Sequence, residues 1–178
     1  NNELTMKKLI LLFILINLAA SAQEILLDPQ FKKKDKHWTL KKKPEFSKVK
    51  SKFSKNLFTI QTSHSSESFY LSLLTEIDIQ AGETYELSIS TLAKGEGELR
   101  FSCISRPQLN LYPKKIKVNR FVTIGITQKV NPKGTWENHS FTFTAKELLS
   151  REHRSYLSLQ FGAFHGKVEI KDVHLTKL

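Results

Sequence analysis

Short segments in which apolar and polar residues alternate recur along this chain, and they limit its fold more than any other feature. In Tyr85–Ser90 a tyrosine, a leucine and an isoleucine alternate with a glutamate and two serines, and the same period of two is found in Leu99–Cys103, Ser140–Phe143 and Tyr156–Phe161. This period is typical of strands with one buried and one exposed side. Turn residues, such as those of Asn131–Gly134, separate the segments. We predict an all-β fold in which two sheets pack as a sandwich or jelly roll.

Two local departures from the alternation are expected. Lys146–His153 has the pattern of one short helix of about two turns. In the last predicted strand the apolar positions change phase near Asp172, as a β-bulge would require. No internal repeat or linker interrupts the sequence, so we predict that residues 23–178 form a single domain.

The N-terminal region has the composition of a secretory signal peptide. Lys7 and Lys8 follow the single methionine, Met6, and an apolar run, Leu9–Ile16, leads to the small residues Ala20–Ala22. The run is too short to span a bilayer, which takes about 20 residues. We expect cleavage after Ala22, with residues 1–22 as upstream sequence and signal peptide, and secretion to the periplasm or the exterior of a bacterium.

Positive charge is concentrated in one segment. The formal net charge of the chain is +11, and residues 31–55 contain eleven lysines and only two acids, Asp35 and Glu45, so this segment contributes 11 − 2 = +9. Its densest run, Lys41, Lys42 and Lys43, would attract an anionic partner such as an acidic polysaccharide or an envelope polymer. The alternative is a solvated edge whose lysines prevent association between strands of different molecules. Lysines without clustered arginines argue against specific nucleic-acid recognition.

The residues that catalysis would need are not arranged for it. Cys103 is the single cysteine and alternates with core-like residues, so we expect a buried thiol. The sequence contains no Gly-x-Ser-x-Gly elbow, P-loop or dinucleotide-binding glycine motif. Its six histidines lack the spacing of metal ligands, and no pair of acids is distinguished as the two carboxylates of a glycosidase. We therefore expect no enzymatic activity.

Four segments, in the right order, resemble motifs of the CenC-type (family 4/9) carbohydrate-binding modules, which are galactose-binding-like jelly rolls. Ala81–Ser88 is similar to their "aGktYtls" strand and Gly134–Phe143 to their "tWq.ytftFt" segment. Leu157–Leu175 resembles their closing strands, and Asp28–Phe31 with Trp38 resembles their opening motif. The resemblance implies a non-catalytic domain whose ligand is a polysaccharide, either neutral or anionic, with a partner enzyme or an envelope protein as a further candidate partner.

The same resemblance bears on metal binding. It implies a structural calcium ion between the opening motif and the closing strand, for which Asp28 and Asp172 are the remaining ligands. Lys32 and Lys171 occupy two positions that are acidic in the family, and ammonium groups oppose calcium binding. We expect a degraded calcium site and no other cofactor.

Sugar recognition combines flat aromatic rings with hydrogen-bonding groups in a groove. In the xylan-binding relatives, an aromatic residue before the "aGktY" strand and a tyrosine after the middle strand stack on the sugar. Residues at those positions, together with polar residues of the outward phase, are the candidates for ligand binding: Tyr70, Phe69, Tyr112, Arg100, Gln160 and Glu86. Trp38 and Trp136 match framework tryptophans of the family, and we expect them in the core.

Two functions are compatible with these observations. The first is a secreted, non-catalytic module that binds a polysaccharide. The second is a jelly-roll surface or interaction protein whose lysine-rich segment docks onto an acidic partner or the cell envelope.

Overall fold

The computed structural model describes residues 22–63, 65–107, 121–148 and 153–178. Eleven strands are formed by these residues, as the alternating segments predict: β1 (Gln23–Glu24), β2 (Thr39–Lys42), β3 (Lys50–Ser54), β4 (Leu57–Thr62), β5 (Leu71–Ile77), β6 (Thr84–Gly97), β7 (Leu99–Pro107), β8 (Val122–Val130), β9 (Trp136–Thr144), β10 (His153–Gln160) and β11 (Phe164–Lys177). The predicted signal peptide, apart from Ala22, lies outside the described residues. Within the described ranges no helix is long and apolar enough to cross a membrane.

The strands form two antiparallel sheets that pack as a sandwich, which confirms the predicted fold class. Sheet A has the order β3-β4-β11-β6-β9, with β1 paired to β11, and sheet B has the order β2-β5-β10-β7-β8. The chain passes repeatedly from one sheet to the other, so neighbours within a sheet are mostly distant in sequence. This connectivity brings residues from six strands onto the surface of sheet A and from five onto that of sheet B.

The core lies between the sheets and is filled by the apolar phase of each strand. Leu87 of β6 and Leu159 of β10 are fully buried there, as is Cys103 of β7. The opening motif closes one end of this core, because Trp38 and Phe31 are both 1% exposed and their rings lie 5.0 Å apart. The inward phases predicted for these strands are therefore confirmed.

The lysine-rich segment provides an edge strand to each sheet. β2 is the edge of sheet B and β3 is the edge of sheet A. Edge strands expose unpaired backbone groups, and lysine side chains protect them against pairing with other molecules. This placement agrees with the edge interpretation of the charge, and it distributes the lysines over both sides of the sandwich.

The predicted bulge is present in β11. The pairing of β11 with β6 shifts between Lys171 and His174, and Asp172 takes a left-handed conformation with φ of 49°. The bulge contacts the opening motif (Asp28–Phe31), because the backbone N–H of Val173 donates to the carbonyl oxygen of Pro29 at 3.1 Å.

The predicted helix is not seen in the part of its segment that the structure describes. Residues 146–148 have no regular secondary structure, and His153 begins β10. The helical residues described elsewhere form three single turns of 3-10 helix: Lys34–Lys36, Pro44–Phe46 and Ser68–Tyr70.

Candidate ligand-binding face

The register of sheet B aligns outward side chains of its five strands in rows. These residues define the outer face of sheet B, the surface of that sheet that points away from the core. The first row is Lys41, Ser72, Gln160, Arg100 and Lys129, the second is Thr39, Leu74, Ser158, Ser102 and Thr127, and the third is Glu76, Tyr156, Ile104 and Thr123. A final pair, Arg154 and Arg106, lies beyond the third row.

The centre of this face is polar and yet buried. Ser102 and Ser158 are each 1% exposed and Gln160 is 3% exposed, whereas the polar side of a sandwich is ordinarily solvated. The amide nitrogen of Gln160 donates to the hydroxyl of Ser158 at 3.3 Å and, at the limit of hydrogen bonding, to that of Ser102 at 3.5 Å. Gln160, Ser102 and Ser158 therefore form a small hydrogen-bonded cluster beside the buried apolar side chains of Leu74 and Ile104.

Two polar atoms in the first row have no partner within the described part of the chain. These are Oε1 of Gln160 and Nε of Arg100, which are both buried and belong to residues directly opposite each other in the register. A buried polar atom without a partner costs about 1–3 kcal/mol. One acceptor and one donor thus belong to neighbouring residues of the row, and both are shielded from solvent.

Arg100 is held in place by Glu98. Its Nη2 donates to one carboxylate oxygen of Glu98 at 2.9 Å, and the ammonium group of Lys129 contacts the other at 3.0 Å. Burial acts to raise the pKa of Glu98, but the hydrogen bonds and charges of Lys129 and Arg100 outweigh it and lower that pKa. Glu98 therefore stays ionised and fixes the guanidinium group of Arg100, whose Nε has no partner among the described residues.

Aromatic side chains cross the same face. Phe69 contacts Tyr70 edge to face at 4.8 Å and Phe121 at 5.5 Å between ring centroids. Phe69 precedes β5, which begins near the row of Gln160 and Arg100, whereas Phe121 precedes β8, whose first residue pairs with Ser105 at the other end of the strands. The two rings meet although their residues belong to opposite ends of the sheet. Each remains 37% exposed.

A groove of about 1060 Å³ lies at the other end of the face. Tyr156 is part of its wall, together with Glu76, Arg106 and Arg154. Burial raises the pKa of Tyr156, as does the charge of Glu76, while the two arginines lower it by a smaller amount. The tyrosine is thus half-buried among three charged groups, with its ring available on the groove side.

The architecture of the two sheets is similar to that of several solved structures. The chain is similar to a CBM4 structure with a TM-score of 0.66, at 13% identity over 86% of this chain and 99% of the other. It is similar to the second N-terminal cellulose-binding domain of β-1,4-glucanase C from Cellulomonas fimi with a TM-score of 0.62, at 16% identity over 89% and 97% of the two chains. A structure described as the N-terminal cellulose-binding domain of that enzyme gives a TM-score of 0.57, at 14% identity over 80% of this chain and 89% of the other.

The fold is that of carbohydrate-binding modules. At these identities the likeness shows the fold alone. The sequence itself matches neither a family model nor a curated protein.

Four of the six candidate residues lie in sheet B or directly before it. Phe69, Tyr70, Arg100 and Gln160 belong to sheet B or to the turn that enters it. Tyr112 lies outside the described residues. Tyr156 takes part in the groove although it is not among the six; its position in the polar phase of its strand was the available signal.

Glu86 lies on the opposite side of the molecule. It is an outward residue of β6 in sheet A, and its carboxylate accepts a hydrogen bond from the hydroxyl of Ser140. Alternation correctly gives it an outward position but carries no information about which sheet its strand joins. The structure therefore separates Glu86 from Arg100 and Gln160.

The expectation for the two tryptophans holds for one of them. Trp38 is buried, and its indole N–H donates to the carbonyl oxygen of Asp28 at 2.9 Å. Trp136 is 43% exposed, so its predicted core position is wrong. It begins β9 in the outward phase, opposite Leu92, and the ammonium group of Lys171 lies 4.6 Å from its ring centre.

The run Lys41–Lys43 does not form one patch. Lys41 points outward on sheet B and lines the groove. The ammonium group of Lys42 donates to the carbonyl oxygen of Ser47 at 3.1 Å, and that of Lys43 lies 5.6 Å from the ring centre of Tyr70. Alternation along β2 sends neighbouring lysines in different directions.

The two aspartates considered as calcium ligands have defined surroundings. Asp28 is 5% exposed, and its two carboxylate oxygens accept the backbone N–H groups of Lys32 and Lys33, each at 2.8 Å. Asp172 lies in the bulge of β11 that the opening motif contacts. Among the described residues, no group of three or more histidine, cysteine, aspartate or glutamate side chains could hold a metal ion.

Proposed function

We propose that this protein is a secreted, non-catalytic carbohydrate-binding module of the CenC type, which binds a polysaccharide across the outer face of sheet B. The observation that carries the proposal is the coincidence, on one face, of a groove, a half-buried tyrosine and unpaired buried polar atoms on Gln160 and Arg100.

The chemistry of the face suits a sugar chain. Pyranose rings have apolar C–H surfaces that pack on aromatic rings, and their hydroxyl groups both donate and accept hydrogen bonds. In our proposal Tyr156 and Phe69 provide the aromatic surfaces. Oε1 of Gln160 and Nε of Arg100 are covered in the unbound protein, so in our proposal the side chains above them move aside when the sugar binds. Its hydroxyl groups then donate to Oε1 and accept from Nε, which removes the cost of burying these atoms unpaired.

The lysine-rich segment supports the alternative function less well. Its strands are the edges of two different sheets, and the three consecutive lysines have different surroundings. We propose that these lysines protect the edges and that Lys41 also belongs to the glycan groove.

Binding to polysaccharides, measured by affinity electrophoresis and calorimetry, tests the proposal. A panel of neutral glucans, xylans and uronate polymers is assayed with the unmodified protein, Tyr156→Ala and Gln160→Ala. Removal of the stacked ring or of the hydrogen-bonded group should reduce the binding free energy by about 1–3 kcal/mol. This reduction corresponds to an affinity about 5- to 150-fold weaker.

Trp136→Ala is the matched control, because it removes an exposed aromatic ring from the opposite sheet. We expect its affinity to match that of the unmodified protein. If no polysaccharide binds, or if Trp136→Ala abolishes binding while Tyr156→Ala leaves it intact, the outer face of sheet B is not the glycan site.

A further inference from the structure

The outer face of sheet A, the surface of that sheet that points away from the core, carries a row of lysines. The register aligns four residues of separate strands in this row: Lys50 of β3, Gln61 of β4, Lys167 of β11 and Lys94 of β6. Their neighbours Val168 and Ala93 are buried in the core, so alternation turns the row outward. Lys52 and Lys171 point outward in the next two rows. We call these five lysines the basic face of sheet A.

Protection of sheet edges explains only part of this arrangement. Lys50 and Lys52 belong to β3, which is an edge of sheet A. Lys167 belongs to β11, which at this position pairs with β4 on one side and with β6 on the other, so it protects no edge. It also lies directly opposite Lys94, where like charges are mutually destabilising. Edge protection therefore gives no reason for the lysine in the middle of the sheet.

Three lysines of the basic face make no salt bridge with a described acid. Lys50, Lys52 and Lys94 are all exposed, and none of them has an ion pair with a residue of the described ranges. The sequence outside those ranges contains only two acids, Glu3 in the predicted signal peptide and Glu152 directly before β10 of sheet B. The charges of the three lysines are therefore open to an external partner.

Two carboxylates share this surface with the lysines. Glu169 is paired with Lys167, and Glu96 points outward one row beyond Lys94 without forming a salt bridge with it. The strands of sheet A contain no arginine. Flexible ammonium groups without guanidinium forks suit a partner whose negative charge is spread over a surface, whereas forks suit single carboxylate or phosphate groups.

An exposed tryptophan lies on the same side of the molecule. Trp136 begins β9, in the row of Lys52 and Glu169, and is 43% exposed. Because β3 and β9 are the two edges of the sheet, this row spans about 19 Å at the usual strand spacing. The ammonium group of Lys171 lies 4.6 Å from the ring centre, so a sugar stacked on that side of the ring would displace it. An indole ring with a charged neighbour is suited to the boundary between lipid and water.

We propose that the basic face of sheet A, with Trp136 at its far edge, docks onto an anionic lipid surface. Lysines near such a surface strengthen binding by about fivefold each, and their long stems let the ammonium groups reach the headgroups. Docking in this way does not depend on the proposed function. It would leave the outer face of sheet B, on the opposite side of the sandwich, turned away from the lipid and open to a glycan.

Binding to lipid vesicles tests the proposal. Vesicles of phosphatidylcholine alone are compared, by co-sedimentation at low ionic strength, with vesicles in which one third of the lipid is phosphatidylglycerol. Protein starting at Gln23 is used, because the apolar run Leu9–Ile16 would itself enter a bilayer and residues 23–178 contain every described strand of the two sheets. We expect binding to the anionic vesicles, little binding to the neutral ones, and an affinity that falls as salt is added.

Two double variants separate the basic face from general charge attraction. Lys50→Gln/Lys94→Gln removes both ends of the lysine row and should weaken binding about 25-fold, or about fivefold for each lysine. Lys36→Gln/Lys41→Gln removes the same charge from the groove of sheet B and should weaken it less than about twofold. All four side chains are exposed, so the unfolding midpoints should not change. Equal losses in the two variants would overturn the proposal, because net charge alone would then explain the binding.

The fluorescence of Trp136 shows which surface touches the bilayer. Trp38 is 1% exposed, so a shift of the emission to shorter wavelength and protection from acrylamide on vesicle binding would come from Trp136. Binding with unchanged emission, or no binding to anionic vesicles, overturns the proposal. The last arm replaces the vesicles with soluble polyphosphate. Binding of this polymer through Lys50 and Lys94, without binding to anionic vesicles, would assign the basic face to a polyanion and refute the lipid assignment.

Discussion

Replacing Asp28 should show whether its carboxylate stabilises the fold through backbone hydrogen bonds or through a metal ion. Asp28 is 5% exposed and accepts two N–H groups, those of Lys32 and Lys33, each at 2.8 Å. These bonds hold the turn in which Phe31 enters the core with φ of 55°. Asp28→Ala removes both acceptors and leaves two partly buried N–H groups unpaired, and each loss costs about 1–2 kcal/mol when the acceptor is ionised.

The expected loss for Asp28→Ala is therefore about 2–4 kcal/mol in the free energy of unfolding. With a urea dependence of about 2 kcal/mol per molar for a domain of this size, the unfolding midpoint should fall by about 1–2 M. Asp28→Asn keeps one acceptor oxygen and should lose roughly half as much. Asp35→Ala, which removes an exposed carboxylate from the same segment, is the matched control and should change the midpoint little.

Each transition is measured with calcium and with a chelator. Hydrogen bonding to the backbone predicts the same midpoint for the unmodified protein in both conditions. A chelator that lowers the midpoint of the unmodified protein but not that of Asp28→Ala would refute this reasoning, because the carboxylate would then act through calcium. A loss below about 0.5 kcal/mol for Asp28→Ala would also refute it.

Three further predictions follow from burial. Trp136 is 43% exposed and lies under the ammonium group of Lys171, so iodide should quench its fluorescence, and Trp136→Phe should leave only the poorly quenched emission of buried Trp38. Burial raises the pKa of the Cys103 thiol to about 12, so a thiol reagent at pH 8 should label the unfolded protein and not the folded one. Burial lowers the pKa of His139 from its ordinary value near 6.5. The unfolded state then binds more protons than the folded state below that pH, so stability should fall as the pH drops through the lowered pKa, and His139→Gln should flatten the decline in urea midpoint between pH 7 and 5.

Phase along each strand was predictable because the side-chain period of a strand is two. An apolar residue at every second position fixes which side of the strand is buried, and Leu87, Cys103 and Leu159 lie inward as that rule requires. The bulge near Asp172 could be predicted for the same reason, since a change of phase requires an extra residue.

The sheet to which each strand belongs could not be predicted in this way. Alternation predicts an outward position for both Glu86 and Gln160, but β6 joins sheet A and β10 joins sheet B. Trp136 is a different case, because alternation back from Phe141 and Phe143 places it outward. Its predicted core position came from the resemblance alone. The phase of each strand therefore identified outward residues as candidates for the site. Only the pairing of the strands shows which of these candidates share a face.

Charged residues that are close in the sequence of a sandwich need not be close on its surface. The lysine-rich segment is continuous in sequence, yet its strands β2 and β3 lie at the edges of different sheets, so its charge is divided between two sides of the molecule. Arg106 and Arg154 are 48 positions apart in sequence (154 − 106), and antiparallel pairing sets them directly opposite each other in the groove. Strand pairing thus sets which charged side chains are neighbours on a face, and a count of charges along the chain does not give these neighbours.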